Sequence, residues 1–272
     1  MSNFKIIQVT DTHLVGNGDT LDGLDPRERL DACVAAINAH QPDAAFCIFS
    51  GDLTDRGAPE GYADFRQSVA ALGLEHHLMI GNHDNRETFK AAFPDTPLDE
   101  NGFVQTAIDT AAGRFVLLDT HAGPTSEGAF CEQRARWLSR VLDEADARPV
   151  FLFMHHPPFD IGLPSMDRIR LLDTGPFEQA VAGRSTVRHI FLGHVHRPIC
   201  GSWKGIPYSI APSTNHQVAF EFETLRPVPH SLEPPAYAMI LISPETVTVH
   251  YHSYLDGSAL PVPADRVRVG AR

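Results

Sequence analysis

Residues 189–196 read His-Ile-Phe-Leu-Gly-His-Val-His, and they combine a buried run with a polar end. His189–Leu192 is typical of a short buried β-strand, which Gly193 ends. His194 and His196 follow at spacing i, i+2 on an extended segment, which aims both imidazole rings to the same side. The stretch therefore predicts a strand whose end presents two histidines as a pair.

The same arrangement, a buried strand followed by polar side chains, occurs at four other places. The predicted strands are Lys5–Val9, Ala44–Phe49, His77–Ile80, Arg114–Leu118, Val150–Met154 and His189–Leu192. The motifs are Asp11-Thr12-His13, Gly51-Asp52, Gly81-Asn82-His83-Asp84, His155-His156-Pro157 and Gly193-His194-Val195-His196. Because the carboxyl ends of strands in an open α/β sheet converge on one crevice, we expect these side chains to meet.

Helical patterns separate the strands. Asp25–His40 begins with Asp25 as the predicted N-cap and Pro26 at the first helical position, and Pro59–Leu72 and Cys131–Ala145 carry apolar residues at helical spacing. Strands that alternate with helices predict an α/β fold with a largely parallel sheet covered on both faces.

The sequence changes character at about residue 201. Val218, Phe220 and Phe222 alternate with polar residues and predict a half-exposed antiparallel strand, and Ala236–Ile242 with Thr246–His250 predicts a hairpin. We expect the tail beyond Asp256 to be loosely held. The chain is thus divided into residues 1–200, which carry the motifs, and a C-terminal segment, residues 201–272.

Composition restricts the partners and the location. The net charge of −12 over 272 residues argues against broad binding to a nucleic-acid backbone. No run approaches the ~18 apolar residues that a membrane span needs. The first residues lack the features of a signal peptide, so we expect a cytoplasmic protein whose Cys33 and Cys47 lie in the core.

The motifs supply ligands of two kinds. The oxygen donors are Asp11, Asp52 and Asn82, and the imidazole donors are His13, His155, His194 and His196. Mixed carboxylate and imidazole ligands suit Mn, Fe, Zn or Co, and the lack of cysteine in the motifs argues against a structural zinc site. Seven ligands are too many for one catalytic ion with an open position, whereas they suit two divalent ions that share a carboxylate.

Each motif also has a purely structural interpretation. Asp11 could cap a turn, Gly51-Asp52 is a common turn pair, Asn82 could adopt a left-handed turn conformation, and His155-His156 could be an incidental strand end. The structural interpretation of the whole set requires five independent polar motifs to coincide at the same ends of strands. We therefore prefer the functional interpretation.

The ordered set of five motifs resembles the calcineurin-like metallophosphoesterase superfamily. Chain length, His155-His156-Pro157-Pro158 and Thr214-Asn215-His216-Gln217 resemble more narrowly the bacterial class III cyclic nucleotide phosphodiesterases and glycerophosphodiesterases. The resemblance, which covers residues 5–217, implies a four-layer α/β/β/α sandwich of two mixed sheets. It also implies a catalytic domain in residues 1–200, a C-terminal cap or dimerisation segment, and a homo-oligomer.

The resemblance assigns a role to each motif residue. It implies that one metal is held by Asp11, His13 and His196, the other by Asn82, His155 and His194, and that Asp52 bridges them. His83 corresponds to a histidine that contacts phosphate or protonates the leaving group, and Asn82 lies beside it. His156 is a neighbour of the site, and His216 faces the phosphate, unless it is a plain strand-end histidine.

Two further residues have competing interpretations. Gly51-Asp52-Leu53-Thr54-Asp55-Arg56-Gly57 also resembles a stretch of serine/threonine protein phosphatases whose arginine binds phosphate. The alternative, which we favour, is that Asp55 and Arg56 form a surface ion pair. Asp22 could bind a cationic head group such as choline, but a solvated acidic loop is the simpler interpretation.

Three functions follow from these motifs. The leading hypothesis is a dinuclear metal-dependent phosphodiesterase that hydrolyses small diesters, either glycerophosphodiesters or 3′,5′-cyclic nucleotides, by in-line attack of an activated water. The alternatives are a phosphomonoesterase or protein phosphatase, which Arg56 supports, and a metal-binding scaffold without activity, which His83 argues against.

Overall fold

The computed structural model describes residues 3–255 as alternating helices and strands. The helices are α1 Pro26–His40, α2 Pro59–Val69, α3 Arg86–Ala92, α4 Glu132–Glu144, α5 Pro164–Asp167 and α6 Gly175–Val181. The strands are β1 Phe4–Val9, β2 Cys47–Ser50, β3 His76–Met79, β4 Thr106–Thr110, β5 Gly113–Leu118, β6 Val150–Met154, β7 Val187–Leu192, β8 Ile199–Trp203, β9 Ile206–Ile210, β10 Gln217–Val218, β11 His230–Ser231, β12 Tyr237–Ile242 and β13 Val247–His252.

The strands form two mixed sheets and one short ribbon. The first sheet has the order β13-β12-β1-β2-β3, in which β1, β2 and β3 are parallel and β12 runs antiparallel to β1. The second has the order β4-β5-β6-β7-β9-β8, with antiparallel strands at both edges. The ribbon consists of β10 and β11 alone. The C-terminal segment therefore contributes strands to both sheets.

Three apolar cores show how the layers stack. The core between the sheets contains Phe115, Phe151 and Phe153. A second core includes Tyr62 and Phe65 of α2, and a third includes Trp137 and Leu138 of α4. Each sheet thus packs against helices on one face and against the other sheet on its second face. This confirms the predicted α/β/β/α sandwich.

The helix ends follow the local signals in the sequence. The Asp25 carboxylate accepts hydrogen bonds from the amides of Arg27 at 2.9 Å and Glu28 at 3.2 Å, so the predicted N-cap of α1 is confirmed. The second predicted helix ends earlier than expected, at Val69. Cys33 and Cys47 are buried, as predicted. Within residues 3–255, every helix is too short or too polar to cross a bilayer.

The C-terminal segment differs in part from the prediction. The predicted strand through Val218, Phe220 and Phe222 is wrong: β10 ends at Val218, and the two phenylalanines are 71% and 49% exposed. The amide of Ala219 still donates to the Pro229 carbonyl at 2.8 Å, but Pro229 has no N–H to continue the ladder beyond Val218. The hairpin of β12 and β13 is confirmed. The expectation for the tail beyond Asp256 concerns residues outside the described range.

Candidate metal centre

The loops after β1, β2 and β3 meet those after β6 and β7 at one end of the sandwich. Backbone hydrogen bonds join the loops: the amide of Asp11 donates to the Gly51 carbonyl at 3.1 Å, and the amide of Gly193 to the His155 carbonyl at 3.1 Å. The amide of His194 donates to the Asp11 carboxylate at 3.1 Å. All five motifs therefore lie together, although they span almost 190 residues of sequence.

Side chains of the motifs form two adjoining clusters. In the first, Asp11, His13, Asp52 and His196 present atoms within 4.8 Å of one another. The Nε2 atoms of His13 and His196 are 3.1 Å apart, and Nε2 of His196 is 3.2 Å from Oδ1 of Asp11. The second cluster contains His155, His156 and His194. Asp52 connects the two, because its Oδ2 lies 3.2 Å from Nε2 of His155.

Backbone carbonyls fix the orientation of two imidazoles. Nδ1 of His155 lies 2.9 Å from the Ser50 carbonyl oxygen, and Nδ1 of His196 lies 2.9 Å from that of His216. A carbonyl can only accept, so Nδ1 carries a proton and Nε2 is the ring nitrogen that faces the cluster. Metal-bound histidines are held in the same way.

Several buried atoms at this site are left without a hydrogen bond within residues 3–255. They include Oδ1 of Asn82 and the Nε2 atoms of His155 and His194. A buried polar atom without a partner costs roughly 1–3 kcal/mol, so native structures seldom contain several side by side. Lone pairs of nitrogen and oxygen that converge in this manner fit divalent metal ions.

The charges at the site favour the metal-binding forms of Asp11 and His194, but the protonated form of His155. Burial opposes ionisation of Asp11, but the neighbouring His196 lowers its pKa to about 2. Burial lowers the pKa of His194 to about 3, so this imidazole is neutral at pH 7. At His155 the Asp52 carboxylate outweighs burial and raises the pKa to about 9. A cation between these two residues competes with that proton.

The backbone at the site is strained. Asp11, His13, Asp52, His194 and His196 all have positive φ, between 49° and 68°. Residues other than glycine rarely adopt this conformation, and each instance costs on the order of 1–3 kcal/mol. Such strain concentrates at functional sites, where the surrounding structure holds the side chains in fixed directions.

Close packing explains one glycine of the motifs. A Cβ atom at Gly81 would lie 2.2 Å from Oδ1 of Asp52 and 2.6 Å from Nε2 of His155. Only glycine therefore allows the Asn82 loop to approach these two side chains so closely.

A cleft of about 470 Å³ opens beside the clusters. His83 lines both this cleft and the cavity at the clusters. The His83 amide donates to Oδ1 of Asp52 at 2.8 Å, and its Nδ1 donates to the Asp55 carbonyl at 2.8 Å. Although burial opposes protonation, the Asp52 carboxylate raises the pKa of His83. Arg56 lines the same cleft with its side chain 85% exposed, next to Asp55.

The remaining predicted residues lie near the clusters. The His156 ring is 4.5 Å from that of His194, and its Nδ1 lies 2.7 Å from the Thr120 hydroxyl. The buried His216 ring is 4.7 Å from that of His196. Asp22 lies farther out, where its Oδ2 is 3.8 Å from Nδ1 of His216.

Sequence reasoning missed two carboxylates that support the site. Oδ2 of Asp55 forms the expected ion pair with Arg56 at 3.3 Å, but Oδ1 is turned inward, 3.5 Å from Nδ1 of His13. Asp84 is buried and accepts hydrogen bonds from the amides of Leu53 and Gly81. Its place at the end of Gly81-Asn82-His83-Asp84 was the available signal.

Known proteins resemble the chain over nearly its whole length. A "probable cyclic nucleotide phosphodiesterase" of Rhodopseudomonas palustris is 44% identical over 92% of this chain and 93% of its own length. A "probable glycerophosphodiester phosphodiesterase" of Arcobacter nitrofigilis is 32% identical over 95% of this chain and 96% of its own length. The 3′,5′-cyclic adenosine monophosphate phosphodiesterase of Escherichia coli K12 is 26% identical over 93% of this chain and 90% of its own length.

A solved structure supports the fold. A dimetal phosphatase from Danio rerio superimposes with a TM-score of 0.71 at 16% identity, covering 94% of this chain and 98% of its own. Residues 4–198 match the calcineurin-like phosphoesterase family, and this match includes all five motifs. With the α/β/β/α sandwich and the two clusters of carboxylates and imidazoles, these likenesses establish that the chain belongs to the calcineurin-like phosphoesterase family.

Proposed function

We propose that this protein is a hydrolase of small phosphodiesters that uses two divalent metal ions. The observation that carries the proposal is the pair of adjoining clusters joined by Asp52, with unpartnered donor atoms facing inward. The relatives named above are phosphodiesterases, which supports a diester rather than a monoester as the substrate.

The seven ligands divide between two metal positions. We assign Asp11, His13 and His196 to one position and Asn82, His155 and His194 to the other, with Asp52 shared. The clusters support the pairing of His13 with His196 and of His155 with His194. Asn82 is assigned by its place in the motif and by its buried Oδ1, which has no hydrogen-bond partner within residues 3–255. The donors are oxygen and imidazole nitrogen, which suit Mn, Fe, Zn or Co.

When bound, the ions supply Lewis-acid activation of water and of the phosphoryl oxygens. The residues of the chain do the rest. Asp11 and Asp52 stay anionic and neutralise the cations, while Ser50 and His216 hold two imidazoles in the binding orientation through their carbonyls. The strained loops fix all these directions before substrate arrives, so little reorganisation is needed during the reaction.

His83 is assigned the role of general acid. Its Nδ1 proton is committed to the Asp55 carbonyl, so the second ring nitrogen, Nε2, is the one that can donate to the departing alkoxide. Asp52 favours the protonated imidazolium that this role requires. General acid catalysis of this kind contributes about 10²–10⁴-fold in rate.

The direct test compares bis(p-nitrophenyl) phosphate with p-nitrophenyl phosphate, using protein reconstituted with Mn²⁺ and the same protein after chelation. We expect diester hydrolysis that exceeds monoester hydrolysis and disappears with the metal. Preference for the monoester would favour a phosphatase instead, and the lack of metal-dependent turnover would favour a scaffold. Elemental analysis should find two divalent ions per chain, and fewer after Asp52→Ala.

A further inference from the structure

The metal centre opens into a recess of about 150 Å³ that the β10–β11 ribbon borders on its outer side. Its inner part is lined by assigned metal ligands, among them Asp52, Asn82 and His196. Its outer part combines two further histidines, His216 and His230, with an apolar wall. The apolar residues are Leu21, Met166, Ile169, Val218 and Val228. Unlike the cleft beside Arg56, this recess therefore offers flat aromatic and aliphatic surface next to the ligands.

The ribbon accounts for the position of the two histidines. Val218 of β10 pairs with His230 of β11 in antiparallel register. Residues opposite each other in such a pair point to the same face, as do residues at i and i+2 of one chain. Val218 and His230 consequently share one face of the ribbon, and His216, which precedes β10, lines the same recess.

The two imidazoles are stacked. Their ring centroids are 4.2 Å apart and their planes differ by 29°. His216 is buried, whereas the His230 side chain keeps 41% of its surface exposed. Nδ1 of His230 lies 2.7 Å from Oδ2 of Asp22, which holds the ring in place. The pair thus presents an oriented aromatic face at the edge of the recess.

We infer that this recess binds the base of a nucleoside phosphodiester and that the base stacks on His230. The inference rests on the proposed phosphodiesterase function and specifies its substrate class. Aromatic side chains are the general means by which proteins bind the π-face of a base, whatever its sequence. A glycerol or ethanolamine group has no such face to offer the recess.

The distances are compatible with a nucleotide whose phosphate lies at the ligands. The exposed His230 ring is separated from the metal centre by two ring contacts. The ring centroids of His196 and His216 are 4.7 Å apart, and those of His216 and His230 are 4.2 Å apart. A ribose spans a gap of this kind between phosphate and base. A cationic head group, in contrast, has to compete with His230 for the carboxylate of Asp22.

The test isolates the contribution of the base. Binding of adenosine 5′-monophosphate and of ribose 5-phosphate is measured by calorimetry on metal-reconstituted protein. Stacking of one base on an aromatic side chain is worth about a tenfold change in affinity or more. We therefore expect adenosine 5′-monophosphate to bind at least about tenfold more tightly than ribose 5-phosphate. His230→Ala should abolish this preference, whereas His230→Phe should retain it because the phenyl ring preserves the aromatic face.

Leu232→Ala is the matched control, since Leu232 belongs to the same segment, is 66% exposed and lies outside the recess lining. It should bind both ligands as the wild type does. Equal affinity of the wild type for both ligands, or an unchanged preference in His230→Ala, would overturn the inference. A preference that His230→Phe also loses would overturn it too, since the hydrogen bond to Asp22 would then be the cause.

The two proposals fail separately. Diester turnover without preference for the nucleotide would contradict the base site alone. Preference for the nucleotide without any diester turnover would contradict the proposed function alone. As a kinetic check, the KM for 3′,5′-cyclic adenosine monophosphate should rise about tenfold in His230→Ala, in step with the loss of binding.

Discussion

The carboxylate of Asp84 accepts a hydrogen bond from the Tyr62 hydroxyl at 2.9 Å, in the interior behind the metal centre. The same carboxylate accepts from the amides of Leu53 at 3.1 Å, Thr54 at 3.2 Å and Gly81 at 2.9 Å. Asp84 therefore ties the loop that carries Asp52 to the loop that carries Asn82.

Replacing Asp84 with alanine should destabilise the protein strongly. Three buried amides would lose their acceptor, and an unsatisfied buried group costs roughly 1–3 kcal/mol, so we expect a loss of about 3 kcal/mol or more. Tyr62→Phe removes a hydroxyl that donates to Asp84 and accepts from the Asn85 amide at 3.0 Å, so it should cost less, about 2 kcal/mol. Urea unfolding of both variants measures the difference. Equal destabilisation by the two would show that the amides do not depend on Asp84.

Replacing His83 with alanine should separate metal binding from catalysis. We expect the metal content to stay at the wild-type value, because the assigned ligands are untouched. Turnover of diesters with an alkoxide leaving group should fall by about 10²–10⁴-fold, since no group then protonates the departing oxygen. Diesters of p-nitrophenol need no such proton and should lose much less. An equal loss on both kinds of diester would contradict the acid role.

Replacing Asp55 with alanine should weaken metal binding. Its Oδ1 lies 3.5 Å from Nδ1 of His13, and carboxylates that orient a ligand histidine typically contribute about 10–100-fold to metal affinity. Arg56→Ala is the matched control, because the adjacent side chain is 85% exposed. Competition against a chelator gives both affinities. A loss of the same size in Arg56→Ala would assign the effect to the loop as a whole.

Arg56→Ala also tests the phosphatase alternative. A guanidinium that grips a terminal phosphate binds the doubly charged monoester more strongly than a diester. If Arg56 had this role, the variant would lose monoester turnover preferentially. Because its contact is with Asp55 at the surface, we expect the ratio of monoester to diester turnover to change by less than about twofold.

The elements that sequence analysis predicted share a clear signal. Buried runs such as Val150–Met154 read as strands, and the polar residues that follow them could be placed because parallel strands end on one side. The edge strand β8 was missed, since most of its residues are exposed and the apolar run is lacking. Strand β9 was also missed, because it contains Pro207 and proline is unusual inside a strand.

The supporting residues could not be predicted because their roles depend on long-range contacts. His230 meets Asp22 across 208 positions of sequence, and no local pattern connects them. Asp84 accepts hydrogen bonds from backbone amides, which all residue types except proline provide. Its partners therefore cannot be recognised from their residue types in the sequence. Ligand residues were easier to find because a metal centre demands particular side chains.

The buried His189 predicts that acid weakens the fold. Burial lowers the pKa of this imidazole from 6.5 to about 4, so the folded protein holds it neutral where the unfolded chain binds a proton. Its contribution is fully present above pH 6.5 and is lost as the pH falls from 6.5 towards 4. At pH 5 the loss amounts to about 2 kcal/mol of the free energy of unfolding.

His189→Gln removes this titration while retaining a polar group for the Ser209 hydroxyl, which lies 3.0 Å from Nε2 of His189. Urea unfolding at pH 8 and pH 5 should show a smaller decrease in stability for the variant than for the wild type, by about 2 kcal/mol. His250→Gln, which removes an exposed imidazole of β13, should keep the wild-type decrease. The same decrease in His189→Gln and the wild type would place the acid sensitivity elsewhere, among the histidines of the metal centre. Because only the difference between the two proteins is interpreted, titration of those histidines cancels from the comparison.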